Sequence, residues 1–296
     1  MRDYVYINGE ILPEEEARIS PADRGFLLGD GLFETILARK SRPLFLKEHL
    51  MRLRWGLKNL AFEAPPLASL FSDIKKGLIS RLIKKNRLED KDTRIRITIS
   101  RGPGSGGLSP SPPCRPTVII SAAPVDHEKI GRKVTEGISA ITLKGLRPAL
   151  PAIKTLNFMA NILGASVAKK AGAEEGFFTA PDNNTILEGT SSNVFIVTST
   201  GLKTTPQALK IGEDGVLPGV VRKVVLELAL EKKIPAQKTW FTTTDLMAAK
   251  EVFITNSISG VVPVIRVDSK AIGDGSVGSL TREMQKGYEK KISAFL

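Results

Sequence analysis

The sequence is poor in the residue types on which quick functional assignments rest. It has a single cysteine, Cys114, so no internal disulfide can form, and Cys114 lies in a proline-rich loop without a basic partner to activate it. It has two histidines, His49 and His127, and no cluster of histidine, cysteine or carboxylate ligands spaced for a metal, so no metal site is expected. Both histidines read as structural. No Gly-x-Ser-x-Gly elbow is present, which removes the common serine-hydrolase arrangement. No apolar run approaches the ~20 residues that span a bilayer. The first residues pass straight into strand-like alternation without the apolar stretch of a signal peptide. A cytoplasmic protein with no membrane partner is the expectation.

Aromatic residues make up 6% of the 296-residue chain, while the formal net charge is +12. A basic balance of this size raises nucleic-acid binding. The lysines and arginines are spread over many segments, however, and are not interleaved with stacking aromatics. They read as a solvated basic surface with a place for anionic ligands, and no nucleic-acid partner is expected.

The length fits two domains. Charges cluster and the strand pattern lapses around Pro124–Arg132, which divides the chain into an N-terminal α/β domain over 1–123, a linker over 124–132 and a C-terminal domain over 133–296. In the first part, Tyr4–Ile7 reads as a strand followed by an Asn8-Gly9-Glu10 turn, and Phe33–Leu37 as a buried strand. Leu46, Leu50, Leu53, Leu57 and Leu60 recur at helical spacing. Pro65-Pro66 opens a helix whose stripe is Leu70, Ile74, Leu78 and Leu82, with Asn86 as its stop. Arg94–Ser100 alternates as a strand with a basic face, and Thr117–Ala122 is another strand. In the second part the spacing predicts strands at Ile138–Leu143, Phe177–Ala180, Val194–Val197, Val252–Thr255 and Val261–Val267. It predicts helices from about Thr155 to Ala171, over Val220–Lys233 and over Ser279–Phe295. The mixture without strict alternation indicates an α+β fold.

The glycine-rich stretch from Arg101 to Pro113 follows a strand, as a phosphate loop would. A phosphate loop needs a helix after it, and prolines and a strand follow here. The stretch reads as a mobile surface loop, with a place over a substrate entrance as the expectation. With metal, thiol and serine chemistry set aside, lysine and carboxylate chemistry remain. Lys154 follows the apolar Leu150-Pro151-Ala152-Ile153, where an amine can be desolvated, and lysine amines form Schiff bases with carbonyl compounds. Position alone does not distinguish it from the other lysines.

Ordered blocks distinguish it. They are Tyr6-Ile7-Asn8-Gly9, Asp23-Arg24-Gly25, Gly29-Asp30-Gly31-Leu32-Phe33-Glu34, Glu48-His49-Leu50-Met51-Arg52-Leu53, Ile153-Lys154-Thr155-Leu156-Asn157, Leu187-Glu188-Gly189-Thr190-Ser191-Ser192-Asn193-Val194-Phe195, Leu217-Pro218-Gly219 and Thr255-Asn256-Ser257. In this order, from about Tyr4 to Tyr288, the chain resembles the fold type IV enzymes that use pyridoxal 5'-phosphate (PLP). That group holds D-amino-acid aminotransferases, branched-chain aminotransferases and aminodeoxychorismate lyases.

The resemblance implies a two-domain α+β fold, PLP as cofactor, and roles position by position. Lys154 matches the Schiff-base lysine that also moves the substrate proton. Glu188 matches the carboxylate that keeps the pyridine nitrogen protonated. Arg52 matches the phosphate-binding arginine. Ser257 and the backbone N–H groups of Val220 and Val221 match the phosphate cradle, and Leu217 the residue packed on the ring. Ser192, Asn193 and Asn256 fall among the cofactor-binding positions, and Phe33 and Ile258 among the substrate positions.

Val221 replaces a threonine common in relatives. Phe158 stands where branched-chain enzymes have a tyrosine, and Phe33 where D-amino-acid enzymes have one. The Arg-x-His pair that traps the carboxylate in D-amino-acid enzymes falls at Gly106 and Leu108, so Arg94 and Arg96 are expected to bind the carboxylate instead. The resulting expectation is a homodimeric transaminase moving an amino group between an amino acid and a 2-oxo acid. A D-amino acid with 2-oxoglutarate is favoured. A branched-chain L-amino-acid aminotransferase, an aminodeoxychorismate lyase and a non-catalytic binding protein on the same scaffold are the alternatives.

Overall fold

The computed structural model describes residues 3–62, 65–104, 107–110 and 115–296, with Pro65 and Pro66 described in backbone only. Among these, no helix is long and apolar enough to cross a membrane. The chain forms two compact units, one of Met1–Val125 with Ile153–Asn157 and Phe295–Leu296, the other of Asp126–Ala152 with Phe158–Ala294.

The first unit carries β1 (Tyr4–Ile7), β2 (Glu10–Pro13), α1 (Arg24–Leu28), β3 (Gly31–Arg39), β4 (Arg42–Pro43), α2 (Leu46–Asn59), α3 (Pro65–Lys75), α4 (Leu78–Lys85), β5 (Thr93–Ser100) and β6 (Thr117–Pro124). The strands form an antiparallel sheet in the order β2-β1-β6-β5-β3-β4. Asn8 and Gly9 both take positive φ and turn β1 into β2, as such dipeptides do in tight hairpins. Alternation along β5 buries Ile95, Ile97 and Ile99 on one face; each contributes roughly 1.5–3 kcal/mol of apolar burial. Its other face carries Arg94, Arg96 and Thr98, opposite Leu37, Thr35 and Phe33 of β3.

The single helix expected from Pro65 to Asn86 is two helices. The chain breaks at Gly77, whose φ of 88° begins α4, while the buried stripe Leu70, Ile74, Leu78 and Leu82 continues across the break. Asn86 ends α4 as expected, and its side chain bonds the backbone of Tyr4 on β1.

The second unit carries α5 (His127–Glu136), β7 (Ile138–Leu143), α6 (Met159–Lys170), β8 (Glu175–Thr179), β9 (Ile186–Gly189), β10 (Asn193–Thr198), β11 (Gly201–Thr204), α7 (Val220–Glu231), β12 (Ala236–Lys238), α8 (Thr243–Met247), β13 (Glu251–Asn256), β14 (Gly260–Val267), β15 (Lys270–Ala271) and α9 (Ser279–Ser293). Its sheet runs β12-β11-β10-β13-β14-β7-β8-β9 with β15 beside β14, and mixes parallel and antiparallel pairs. Ile138, Phe177, Ile196, Ile254 and Val264 lie in its main apolar core. The α+β class expected from the sequence is the class observed. The stretch 124–132, expected as a linker, carries the start of α5, which Asp126 caps by accepting from the Lys129 N–H.

The helix expected from Thr155 starts at Met159 instead. Residues 153–157 are kept out of the helix because β3 takes up their backbone groups. The Phe33 N–H donates to the Lys154 carbonyl at 2.9 Å, and the Leu156 N–H to the Gly31 carbonyl at 2.9 Å.

Candidate functional site

In the first unit, pairing along the β3 edge fixes where Lys154 lies. Leu32 and Thr155 form an antiparallel bridge, which puts Phe33 and Lys154 next along the two backbones, and the Lys154 Nζ sits 4.3 Å from the centre of the buried Phe33 ring. The Arg96 guanidinium stacks on that ring at 3.9 Å and donates through Nε to the Thr98 hydroxyl. Burial, then the neighbouring charge of Arg94, lowers the Arg96 guanidinium from its ordinary value, yet a guanidinium remains charged at neutral pH. Lys154, Phe33 and Arg96 are therefore brought together, whereas Arg94 lies farther along β5.

Behind Phe33 in sequence stands Glu34, 1% exposed. Its carboxylate accepts from Arg52 Nε and Nη2 at 2.7 Å each and from His49 Nδ1 at 2.7 Å. Burial is the largest influence on Glu34 and pushes its carboxyl up. The charge and hydrogen bonds of Arg52 and His49 together outweigh it and bring the group down to about 2. Burial, again the largest influence, pushes the His49 imidazole below its ordinary value against the pull of Glu34, and the charges of Arg52 and Lys154 add to the lowering. His49 and Arg52 thus both hold the Glu34 carboxylate, and the charge of Arg52 is the larger of the two that keep it ionised. Glu34 engages the Nε and Nη2 edge of Arg52.

Of the loop positions singled out in the sequence, Gly106 lies outside the described residues, as does Cys114. Leu108 has an exposed side chain and a carbonyl that accepts from Arg24 Nη2 at 2.8 Å. Arg24 Nη1 also reaches the Gly107 carbonyl, and Asp30 braces both Arg24 and Arg101 at 2.8 Å.

In the second unit, Glu188 ends near the turn that leads into α7. Its Oε2 accepts from the Leu217 N–H at 3.0 Å and from the Asn193 amide at 3.3 Å, and the same amide donates to the Leu217 carbonyl at 3.0 Å. Gly219 caps α7 without a side-chain hydrogen bond, and Val220 and Val221 follow as its first residues. A Cβ at Gly219 would lie 1.9 Å from Asn193 Oδ1, so only glycine lets the helix start this close to the Glu188 cluster. Asn256 accepts the N–H groups of Ile258 and Ser259 at 3.0 and 2.8 Å, which folds the Ser257–Ile258 turn after β13. Ser192 turns its hydroxyl to Glu175 at 2.8 Å. The same buried carboxylate accepts the N–H groups of Gly176 and Thr190 at 2.9 Å and the Thr190 hydroxyl. Glu188 and Leu187 also line a cavity of about 450 Å³ whose rim includes Arg147, Glu213, Asp214 and Trp240.

Glu34, Glu175 and Arg222 were not singled out from the sequence. Each is a charge inside an apolar run: Glu34 in Leu32–Leu37, Glu175 before Phe177-Phe178, and Arg222 between Val220-Val221 and Val224-Val225. That signal shows a buried charge and not which partner satisfies it.

Comparison with known proteins accords with this arrangement. Residues 31–267 match the family model described as amino-transferase class IV. A Methanocaldococcus jannaschii protein with a provisional name as a branched-chain-amino-acid aminotransferase is 33% identical over 96% of this chain and 95% of its own length. A D-alanine aminotransferase of Staphylococcus epidermidis is 31% identical over 98% of both chains. The crystal structure of Escherichia coli branched-chain amino acid aminotransferase superposes with a TM-score of 0.85 at 27% identity, covering 97% of this chain and 93% of that one. The chain belongs to the class IV aminotransferases, the enzymes that move amino groups with PLP.

Proposed function

We propose that the enzyme transfers the amino group of a D-amino acid, such as D-alanine or D-glutamate, to a 2-oxo acid such as 2-oxoglutarate. The observation that carries the substrate reading is the shared ring of Phe33. Arg96 and Lys154 both stand over it, so an anion paired with Arg96 brings its α-carbon into the neighbourhood of the lysine amine. The D-alanine relative, matched over nearly its full length, supports the D configuration. A branched-chain L-amino acid is the second reading, because the 33% relative bears that name.

The residues present suit PLP. The α7 N-terminus is kept bare by Gly219 and offers N–H groups to a phosphate. Glu188 is a carboxylate already oriented by Leu217 and Asn193. When bound, PLP supplies an electron-accepting ring conjugated to the amino acid's α-carbon. Lys154 holds the cofactor and then carries the α-proton on its Nζ. Glu188 keeps the ring nitrogen protonated. Arg52 is assigned to the phosphate, and so are Ser257 and the Val220 and Val221 N–H groups. Leu217 packs on the ring, and Ser192, Asn193 and Asn256 shape the turns around it. Phe33 and Arg96 face the substrate.

The enzyme acts as a homodimer in this reading. The apolar Met159, Ile162, Leu163 and Val167 are all exposed on one side of α6, a face that a second copy would cover. Assays of D-alanine and L-leucine, each with 2-oxoglutarate, test the substrate. Turnover of D-alanine is expected, and turnover of L-leucine alone would contradict the first reading in favour of the second.

A further inference from the structure

Arg222 is a buried cation without a carboxylate in contact. It is the third residue of α7 and is 2% exposed. Its fork is taken up by neutral acceptors: Nε donates to the Thr204 hydroxyl at 3.3 Å, Nη1 to Gln207 Oε1 at 3.1 Å and Nη2 to the Thr205 carbonyl at 2.8 Å. The Thr204 and Thr205 hydroxyls donate onward to the carbonyls of Val194 on β10 and Ile186 on β9. Among the described residues, no aspartate or glutamate pairs with Arg222. A buried guanidinium in this position is costly unless a nearby negative charge compensates it.

That charge is Glu188. Asn193 links the two groups: its amide touches Glu188 and Leu217, and its Oδ1 abuts Gly219, where a Cβ would stand 3.2 Å from the Cβ of Arg222. Burial, the largest influence, pulls the Arg222 guanidinium down to about 10, and the charge of Glu188 opposes the fall. The other charges around Glu188 in this unit do not replace Arg222. Glu175 on β8, behind the Gly189–Ser192 turn, is a carboxylate and supplies no positive charge. Arg147, Glu213 and Asp214 share the cavity with Glu188, and the Arg147–Asp214 pair is solvent-exposed, where water and salt screen it.

We propose that Arg222 is a positioning residue for the amino-transfer reaction: its fixed positive charge keeps the Glu188 carboxylate ionised and ready for the protonated ring nitrogen of the cofactor. The same fork ties the first turn of α7 to the ends of β9 and β10, so the cofactor's ring and phosphate contacts are set by one residue. The inference rests on Glu188 being the ring-nitrogen partner.

The test is the PLP dissociation constant of the apoprotein from pH ~8.5 down to ~5.5, read by equilibrium dialysis. The proteins compared are wild type, Arg222→Gln, Arg222→Lys, Glu188→Gln and the Arg222→Gln/Glu188→Gln pair. Without the cation, Glu188 takes up a proton at higher pH, so the ratio of the Arg222→Gln constant to the wild-type constant grows about tenfold for each unit of that displacement as the pH falls. Arg222→Lys keeps the charge and the wild-type profile. In the Glu188→Gln background the Arg222 substitution produces no pH-dependent change. A flat ratio for Arg222→Gln, the same growth in the Glu188→Gln background, or a displaced profile for Arg222→Lys overturns the proposal. Should Arg222→Gln fail to fold, Arg222→Met, uncharged and of similar length, is read in its place by the same criteria. Glu188→Gln binding PLP as wild type does would instead overturn the reading of Glu188, a separate failure.

Discussion

Replacing Glu34 by glutamine tests whether the buried carboxylate holds the Arg52 guanidinium in place. The variant keeps the size of the side chain and one acceptor but removes the charge that meets three donors at 2.7 Å. Glu34 titrates at about 2 in the folded chain against an ordinary 4.5. At 1.36 kcal/mol per unit, that difference amounts to about 3 kcal/mol of stability. Because the folded value is depressed, the contribution is present in full above the ordinary carboxylate value and is lost as the pH falls from there towards 2. Leaving Arg52 without its carboxylate gives a similar figure, ~3–5 kcal/mol for a broken buried pair.

The assay is urea unfolding followed by tryptophan fluorescence in a Trp240→Phe background. Trp55 then reports alone, from α2, one turn from Arg52. Glu34→Gln is expected to lower stability by about 3 kcal/mol at neutral pH, with the gap to the parent narrowing as the pH drops below the ordinary carboxylate value. A loss under ~0.5 kcal/mol, or a gap unchanged by acid, would refute the reasoning.

Two further substitutions probe the second unit. Gly219→Ala places a methyl group 1.9 Å from Asn193 Oδ1 and must displace the amide that orients Glu188. PLP affinity is expected to fall by about tenfold or more with the helical circular dichroism retained, and wild-type affinity by dialysis would contradict this. Glu175→Gln leaves one of the donors of Gly176, Thr190 and Ser192 unsatisfied in a buried site, at a cost of ~1–3 kcal/mol. Its thermal midpoint should drop by several degrees, and an unchanged midpoint would show that the turn does not depend on the charge.

Much of the secondary structure was legible because it follows local rules. The leucines of α2 repeat at helical spacing, and the arginine–isoleucine alternation of β5 marks a strand with two unlike faces. What escaped was set by partners distant in sequence. Nothing local to Thr155–Phe158 says that the segment is not helical; the edge of β3, more than a hundred residues earlier, makes it so. The break at Gly77 leaves the apolar stripe in register, so periodicity alone does not show it. The site divides in the same way. Motif order drew attention to Lys154, Glu188 and Arg52, whereas the partners Glu34, Glu175 and Arg222 became visible only when their hydrogen bonds were. His49 reads as structural in the sequence, and its Nδ1 bond to Glu34 links it to Arg52.

The central claim is that Lys154 carries the cofactor, and the most direct measurement is reduction of the PLP-loaded protein with borohydride followed by peptide mass mapping. The account predicts a visible absorption band that borohydride abolishes, a single phosphopyridoxyl mass increment on the peptide holding Lys154, and neither band nor increment in Lys154→Ala. An increment on another lysine, or a Lys154→Ala protein that keeps the band, would contradict it.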